Sequence, residues 1–150
     1  MNIEDVIKTK EELPISRKAI VNILYTENWI SERVSAELKT YDLSIQQFNV
    51  LRILKGQKGK PANLSTIQER MVSKMSNTTR LVDKLIKKDF VKRVTCETNR
   101  RKVEITITKE GQQFLDKISP VIDNFEKKTT SNLSEEELIT LNNLLNKLRS

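Results

Sequence analysis

The chain has 150 residues, 37% of them apolar and 31% charged, which suits one compact soluble domain or one domain with helical extensions. It has no histidine, one cysteine (Cys96) and three glycines (Gly56, Gly59 and Gly111). That excludes an intrachain disulfide, a Cys/His zinc site within one chain, histidine acid–base catalysis and the glycine-rich phosphate loops. No cofactor or metal is expected, and an enzyme is the least favoured class. No apolar run approaches the roughly 18 residues of a membrane span, and no basic-then-apolar leader opens the chain, so no membrane association and a cytoplasmic location are expected.

In chain order, residues 1–13 are polar and charged with weak periodicity, a frayed or locally helical arm. From Ile15 to Leu38, apolar residues at Ala19, Ile20, Ile23, Leu24, Ile30, Val34 and Leu38 recur at helical spacing, with Trp29 beside the stripe. A second helix follows Ser44, which with Gln47 fits a capping box; Phe48, Leu51, Ile53 and Leu54 form its apolar face. A lysine-bearing loop from Gly56 to Pro61 ends it. A short third helix is capped by Asn63 and carries the pair Ile67 and Met71. A fourth is expected over Lys74–Lys88, capped by Ser73, burying Leu81, Val82 and Leu85.

The period then changes from 3.6 to 2. Val91–Thr95 and Val103–Ile107 read as two strands joined by a basic loop with Asn99, Arg100 and Arg101 near its tip. Thr108 caps a fifth long helix striped by Phe114, Leu115, Ile118, Val121, Ile122 and Phe125. Pro120 is expected to kink or split that helix. A last helix begins at a Ser134–Glu137 capping box and carries Leu138, Leu141, Leu145 and Leu148 at heptad-like spacing.

The net charge is +7, but it is not spread evenly. Between Arg70 and Lys102 there are 11 Lys/Arg against three acids, a net of +8, while the rest of the chain has 16 against 17. A solvated helix face mixes its signs, so this concentration points to a polyanion. Two short helices followed by a basic hairpin make a winged helix-turn-helix, whose second helix enters the major groove of double-stranded DNA. Lys74, Ser76, Asn77, Thr78, Thr79, Arg80 and Lys84 on that helix, and Asn99, Arg100 and Arg101 on the wing, are the candidate DNA contacts. The short polar side chains suit base edges, and the wing arginines suit a narrow minor groove.

The segments Glu69–Met71, Arg80–Leu85, Val91 with Arg93, Asn99–Arg101 and Ile107–Gly111 together resemble the MarR family of bacterial transcription regulators. The likeness covers about residues 15–149 and is densest over 63–111. There are departures: Asn99 stands where the family wing has Asp, Asp89 where a glycine follows the reading helix, and Lys74 where the helix opens on Ser or Thr.

The resemblance implies a mainly α fold with a small β-hairpin: a winged helix-turn-helix lobe over 42–110, with dimerisation helices over 15–40 and 112–149. It implies a homodimer through Ile20, Leu24, Leu138, Leu141, Leu145 and Leu148, bound to a near-palindromic operator. It also implies repression relieved by a small aromatic or phenolic effector, with Tyr25, Trp29 and Phe48 as pocket candidates; ordinary core packing is the competing role for each of the three. Two alternatives remain at this point: a nonspecific nucleic-acid-binding or chromosome-organising protein, and a thiol-based redox sensor through Cys96.

Overall fold

A computed structural model describes all 150 residues, Met1–Ser150. Seven helices and one hairpin follow in the order α1 (Ile3–Val6), α2 (Ile15–Lys39), α3 (Ile45–Gly56), α4 (Leu64–Arg70), α5 (Thr78–Lys87), β1 (Val91–Thr95), β2 (Val103–Ile107), α6 (Lys109–Thr129) and α7 (Glu135–Leu148). The chain falls into two compact units, Met1–Ile45 and Gln46–Ser150.

In the first unit the polar arm contains a single helical turn, α1, whose Ile3 is buried. Glu4 meets Lys18 of α2 at 3.0 Å. The long helix α2 starts directly after Pro14, a residue whose fixed φ suits a helix entry. Only Leu38 of α2 is buried; Ile20, Leu24 and Tyr25 stay exposed.

In the second unit the core is made by Val50, Leu51, Leu54, Ile67, Met71, Val82, Leu85, Ile105, Leu115 and Ile118, each nearly or fully inaccessible. These residues come from α3, α4 and its C-cap Met71, α5, β2 and α6, at spacings that put the helical ones on one face of each helix. The strands pair antiparallel from Val91 with Ile107 to Thr95 with Val103. A contact that the sequence pattern does not show widens this sheet. Ala62 N–H donates to Ile105 O at 2.9 Å and Ile105 N–H to Ala62 O at 2.7 Å. One residue between Pro61 and Asn63 is too short a signal to read as a strand. The bridge satisfies the outer backbone edge of β2 at Ile105.

One expectation needs correcting, and one of two alternatives at Pro120 is excluded. The helix expected over Lys74–Lys88 starts at Thr78, and its cap is Asn77, not Ser73. Asn77 Oδ1 accepts from Arg80 N–H at 3.1 Å, satisfying a donor that the helix itself leaves open. Residues 72–76 form a turn instead, with Ser76 N–H on Ser73 O at 3.2 Å. Pro120 does not split its helix, since α6 runs unbroken from Lys109 to Thr129. Pro120 and Asp116 are both exposed, so the missing helical hydrogen bond falls on the solvent side of the helix. Leu115, Ile118 and Ile122 hold the buried face on either side.

Three other caps agree with the sequence. Asn63 Oδ1 accepts from Thr66 N–H at 2.7 Å, Thr108 Oγ1 from Gly111 N–H at 3.0 Å, and Ser134 and Glu137 form the reciprocal box. The helix α7 that this box starts has no buried residue.

Candidate nucleic-acid interface

The reading helix α5 is braced on both sides. Val82 and Leu85 sit in the core. Thr78, at its first position, is buried, and its hydroxyl donates to Gln68 Oε1 on α4. The other end of the same amide donates to the Lys74 carbonyl at 2.9 Å. Gln68 therefore ties α4 to the start of α5 and to the turn between them. From α3, Asn49 Oδ1 accepts the N–H of Val72 at 2.9 Å. Neither Gln68 nor Asn49 is readable as special in the sequence, because an isolated amide on a helix carries no pattern.

This bracing sorts the expected contacts. Thr79, Arg80 and Lys84 are exposed on α5. Thr78 is turned inward to Gln68, and the Ser76 hydroxyl is enclosed with no hydrogen-bond partner. Asn77 is exposed, but its side-chain oxygen is used as the cap. Lys74 reaches back, its ammonium donating to the Glu69 carbonyl. The structure therefore brings Thr79, Arg80 and Lys84 together as accessible side chains and commits Thr78 and Asn77 to holding the helix.

The wing is built the same way. Asp83 of α5 pairs with Arg93 of β1 at 2.8 Å, fixing the hairpin against the reading helix. At the tip, Asn99 Oδ1 accepts the N–H of Arg101 at 3.1 Å. Lys102 N–H donates to Asn99 O at 2.8 Å, and Cys96 N–H to Lys102 O at 2.9 Å. Asn99 thus shapes the tip through the backbone, a role that needs no charge and that its neutral amide fills as an Asx turn. Arg100, Arg101 and Lys102 are all exposed there. Cys96 is half-buried beside Thr98, with Sγ and Oγ1 3.2 Å apart; this hydrogen bond, helped by nearby backbone N–H groups, holds the thiol below its ordinary pKa.

Behind the wing, the chain passes twice through one tight junction. Asp89 follows α5 with φ +61°, the left-handed conformation that Asp tolerates better than most side chains. Its carbonyl accepts from the Thr108 hydroxyl at 2.6 Å, and Thr108 N–H donates to Phe90 O at 3.0 Å. Phe90 stacks on Phe114 of α6 with centroids 4.3 Å apart. Gly111 lies so close that a Cβ there would stand 2.1 Å from Phe90 O. The Thr-x-x-Gly exit is thus a packing requirement.

The comparisons with known proteins agree with this geometry. A MarR family model matches residues 43–103, from the start of α3 to the return strand of the wing. The uncharacterised HTH-type transcriptional regulator YfiV of Bacillus subtilis is 31% identical over 115 residues, spanning 75% of this chain and 71% of that protein. The chain belongs to the MarR family. As a member it is a DNA-binding transcription regulator with a winged-helix fold. The transcriptional repressor MprA of Escherichia coli is 24% identical over 99% of this chain and 87% of its own. Among solved structures, the organohalide-sensing regulator RdhR-CbdbA1625 in its 2,4-dichlorophenol bound form has a TM-score of 0.83 at 21% identity. It covers 91% of this chain and 80% of that one. No helix of this MarR-family chain is long and apolar enough to cross a membrane.

The effector candidates fall in both units. Phe48 of α3 is only 6% exposed and belongs to the core of the second unit, with Arg52 over its ring at 5.5 Å. In the first unit Tyr25 is exposed, and Trp29 is covered by the Arg33 guanidinium at 3.9 Å.

Proposed function

We propose that the chain is a homodimeric, sequence-specific repressor that reads a near-palindromic operator and is released by a small aromatic or phenolic effector. The observation that carries the DNA reading is the braced unit of α5 and wing, which presents Thr79, Arg80 and Lys84 beside Arg100 and Arg101. Arg80 is the side chain assigned to a guanine edge or a phosphate, Lys84 to the backbone, and the wing arginines to the minor groove. Lys74, Ser76, Asn77, Thr78 and Asn99 then act chiefly by shaping the two elements.

The dimer reading is supported by α7. A 14-residue helix with a full capping box, no buried residue and Leu138, Leu141, Leu145 and Leu148 along it is suited to a partner surface. Ile20 and Leu24 of α2 offer the same kind of exposed apolar side chain, Leu24 at 59%. We assign 15–40 and 112–149 to dimerisation and 42–110 to the DNA-binding lobe; α6 serves both, because Gly111 and Phe114 pack at the wing junction. Two-fold symmetry would set the two reading helices about 34–36 Å apart, one turn of the duplex. Repression has its support in the name of MprA, and phenolic release in the bound state of RdhR.

Selection from random duplex DNA with the purified chain, at a stated salt concentration, tests this. A two-fold motif with 10–10.5 bp half-site spacing, about one helical turn, is expected, with affinity falling steeply as salt rises. Recovery of no two-fold motif would sink the operator reading and favour nonspecific nucleic-acid binding.

A further inference from the structure

The most exposed large apolar side chains beyond Met1 are two neighbours in the turn before α5. Val72 is 88% and Met75 94% exposed. They lie within the stretch that holds the whole positive excess of the chain. The turn that carries them is not loose. Asn49 holds the N–H of Val72, Gln68 holds the carbonyl of Lys74, and Ser76 N–H closes back on Ser73 O at 3.2 Å. Two apolar groups are thus fixed in water at the leading end of the helix assigned to the major groove.

Charge selects the partner. The surface is basic, so its occupant is DNA rather than an apolar protein face. In the major groove the bases expose donors, acceptors and one apolar group, the 5-methyl of thymine. The inward turn of Thr78 and the enclosure of the Ser76 hydroxyl take two hydrogen-bonding side chains away from this end of the helix. The geometry points to Met75, with Val72 beside it, as specificity-determining residues that read thymine methyl groups in each half-site. Methionine suits the task because its flexible, polarisable thioether adapts to a methyl without a fixed geometry. The inference rests on the operator reading above and adds the chemistry of one contact to it.

The test uses the full chain and an operator obtained by selection. Each thymine is replaced in turn by deoxyuridine, which removes only the 5-methyl, and affinity is measured for the wild type, Met75→Ala and Val72→Ala at fixed salt. The wild type should lose about fourfold at one or two thymines per half-site, the transfer value of roughly one methyl group. Met75→Ala or Val72→Ala should bind the thymine and deoxyuridine forms equally at those positions and keep the wild-type response elsewhere. Both side chains are solvent-exposed, so neither truncation should disturb folding. A wild type indifferent to every thymine methyl, or variants that keep the full thymine preference, would overturn the inference while leaving the operator reading intact. Failure of the selection itself would overturn the operator reading.

Discussion

Gly111→Ala should destabilise the chain, against the usual sign for such a change in a helix. Alanine in place of glycine within a helix ordinarily stabilises by up to about 1 kcal/mol. At Gly111 the added Cβ would stand 2.1 Å from Phe90 O and 2.9 Å from Ile107 Cγ1. Ordinary C···O contacts begin near 3.3 Å, so the backbone of Phe90 and the start of α6 must separate by about 1 Å. That movement strains the Thr108 N–H bond to Phe90 O, the Thr108 hydroxyl bond to Asp89 O and the Phe90–Phe114 stack together. Overpacking of this kind costs about 1–3 kcal/mol, and each strained hydrogen bond adds up to about 1 kcal/mol. A net loss of about 2–3 kcal/mol follows, or roughly 4–12 °C in melting temperature for a chain of this size. Gly56→Ala is the internal control: nothing lies within 4 Å of its Cβ position and its φ is not positive, so it should raise the melting temperature slightly. Calorimetry at one fixed protomer concentration measures both. A Gly111→Ala protein as stable as the wild type would refute the packing argument.

Three further outcomes follow from single contacts. Asn77→Ala removes the cap of the reading helix and should cost about 0.5–2 kcal/mol in denaturant melts, with Asn77→Asp restoring most of it; equal stability of the Ala variant and the wild type would mean the cap is idle. A double-mutant cycle on Asp83 and Arg93, both substantially exposed, should give a coupling of only about 0.2–1 kcal/mol in stability but a larger coupling in operator affinity, because the pair orients the wing; matched couplings would remove that orienting role. Lys18 holds the Glu4 carboxyl below its usual pKa, so the carboxylate contributes stability above the ordinary carboxylate range and loses it as pH falls through the lowered value. Glu4→Gln should therefore melt lower than the wild type at neutral pH and approach it in acid, and a gap independent of pH would contradict the ion pair.

What was legible in the sequence is what repeats or punctuates. The stripes of α2 and α6, the alternation of β1 and β2, and the caps Asn63, Thr108 and Ser134 are local, so periodicity and spacing find them. The start of α5 was misplaced because residues 73–80 hold several possible caps, Ser73, Ser76 and Asn77, and local propensity does not choose among them. Tertiary contacts choose. Gln68 reaches Thr78 and the Lys74 carbonyl, and Asn49 reaches Val72, so the turn survives to Ser76 and the helix begins only at Thr78. The Ala62–Ile105 bridge escaped for the same reason, being a pairing across 43 positions with no repeat on one side of it.

That difference matters for function more than for fold. Starting the helix at Lys74 would have set Ser76, Asn77 and Thr78 out as a row of base readers. Starting it at Thr78 turns two of them into braces and leaves Val72 and Met75 at the front. The basic charge that identifies the partner is a property of composition, and it survives either register. Which side chains meet the bases depends on where the first turn of one helix begins, and that is fixed by two amides on the neighbouring helices α3 and α4. Relatives that share the Arg80–Leu85 pattern but lack a hydrogen-bonding side chain at the positions of Gln68 or Asn49 should therefore present a different reading edge on the same fold.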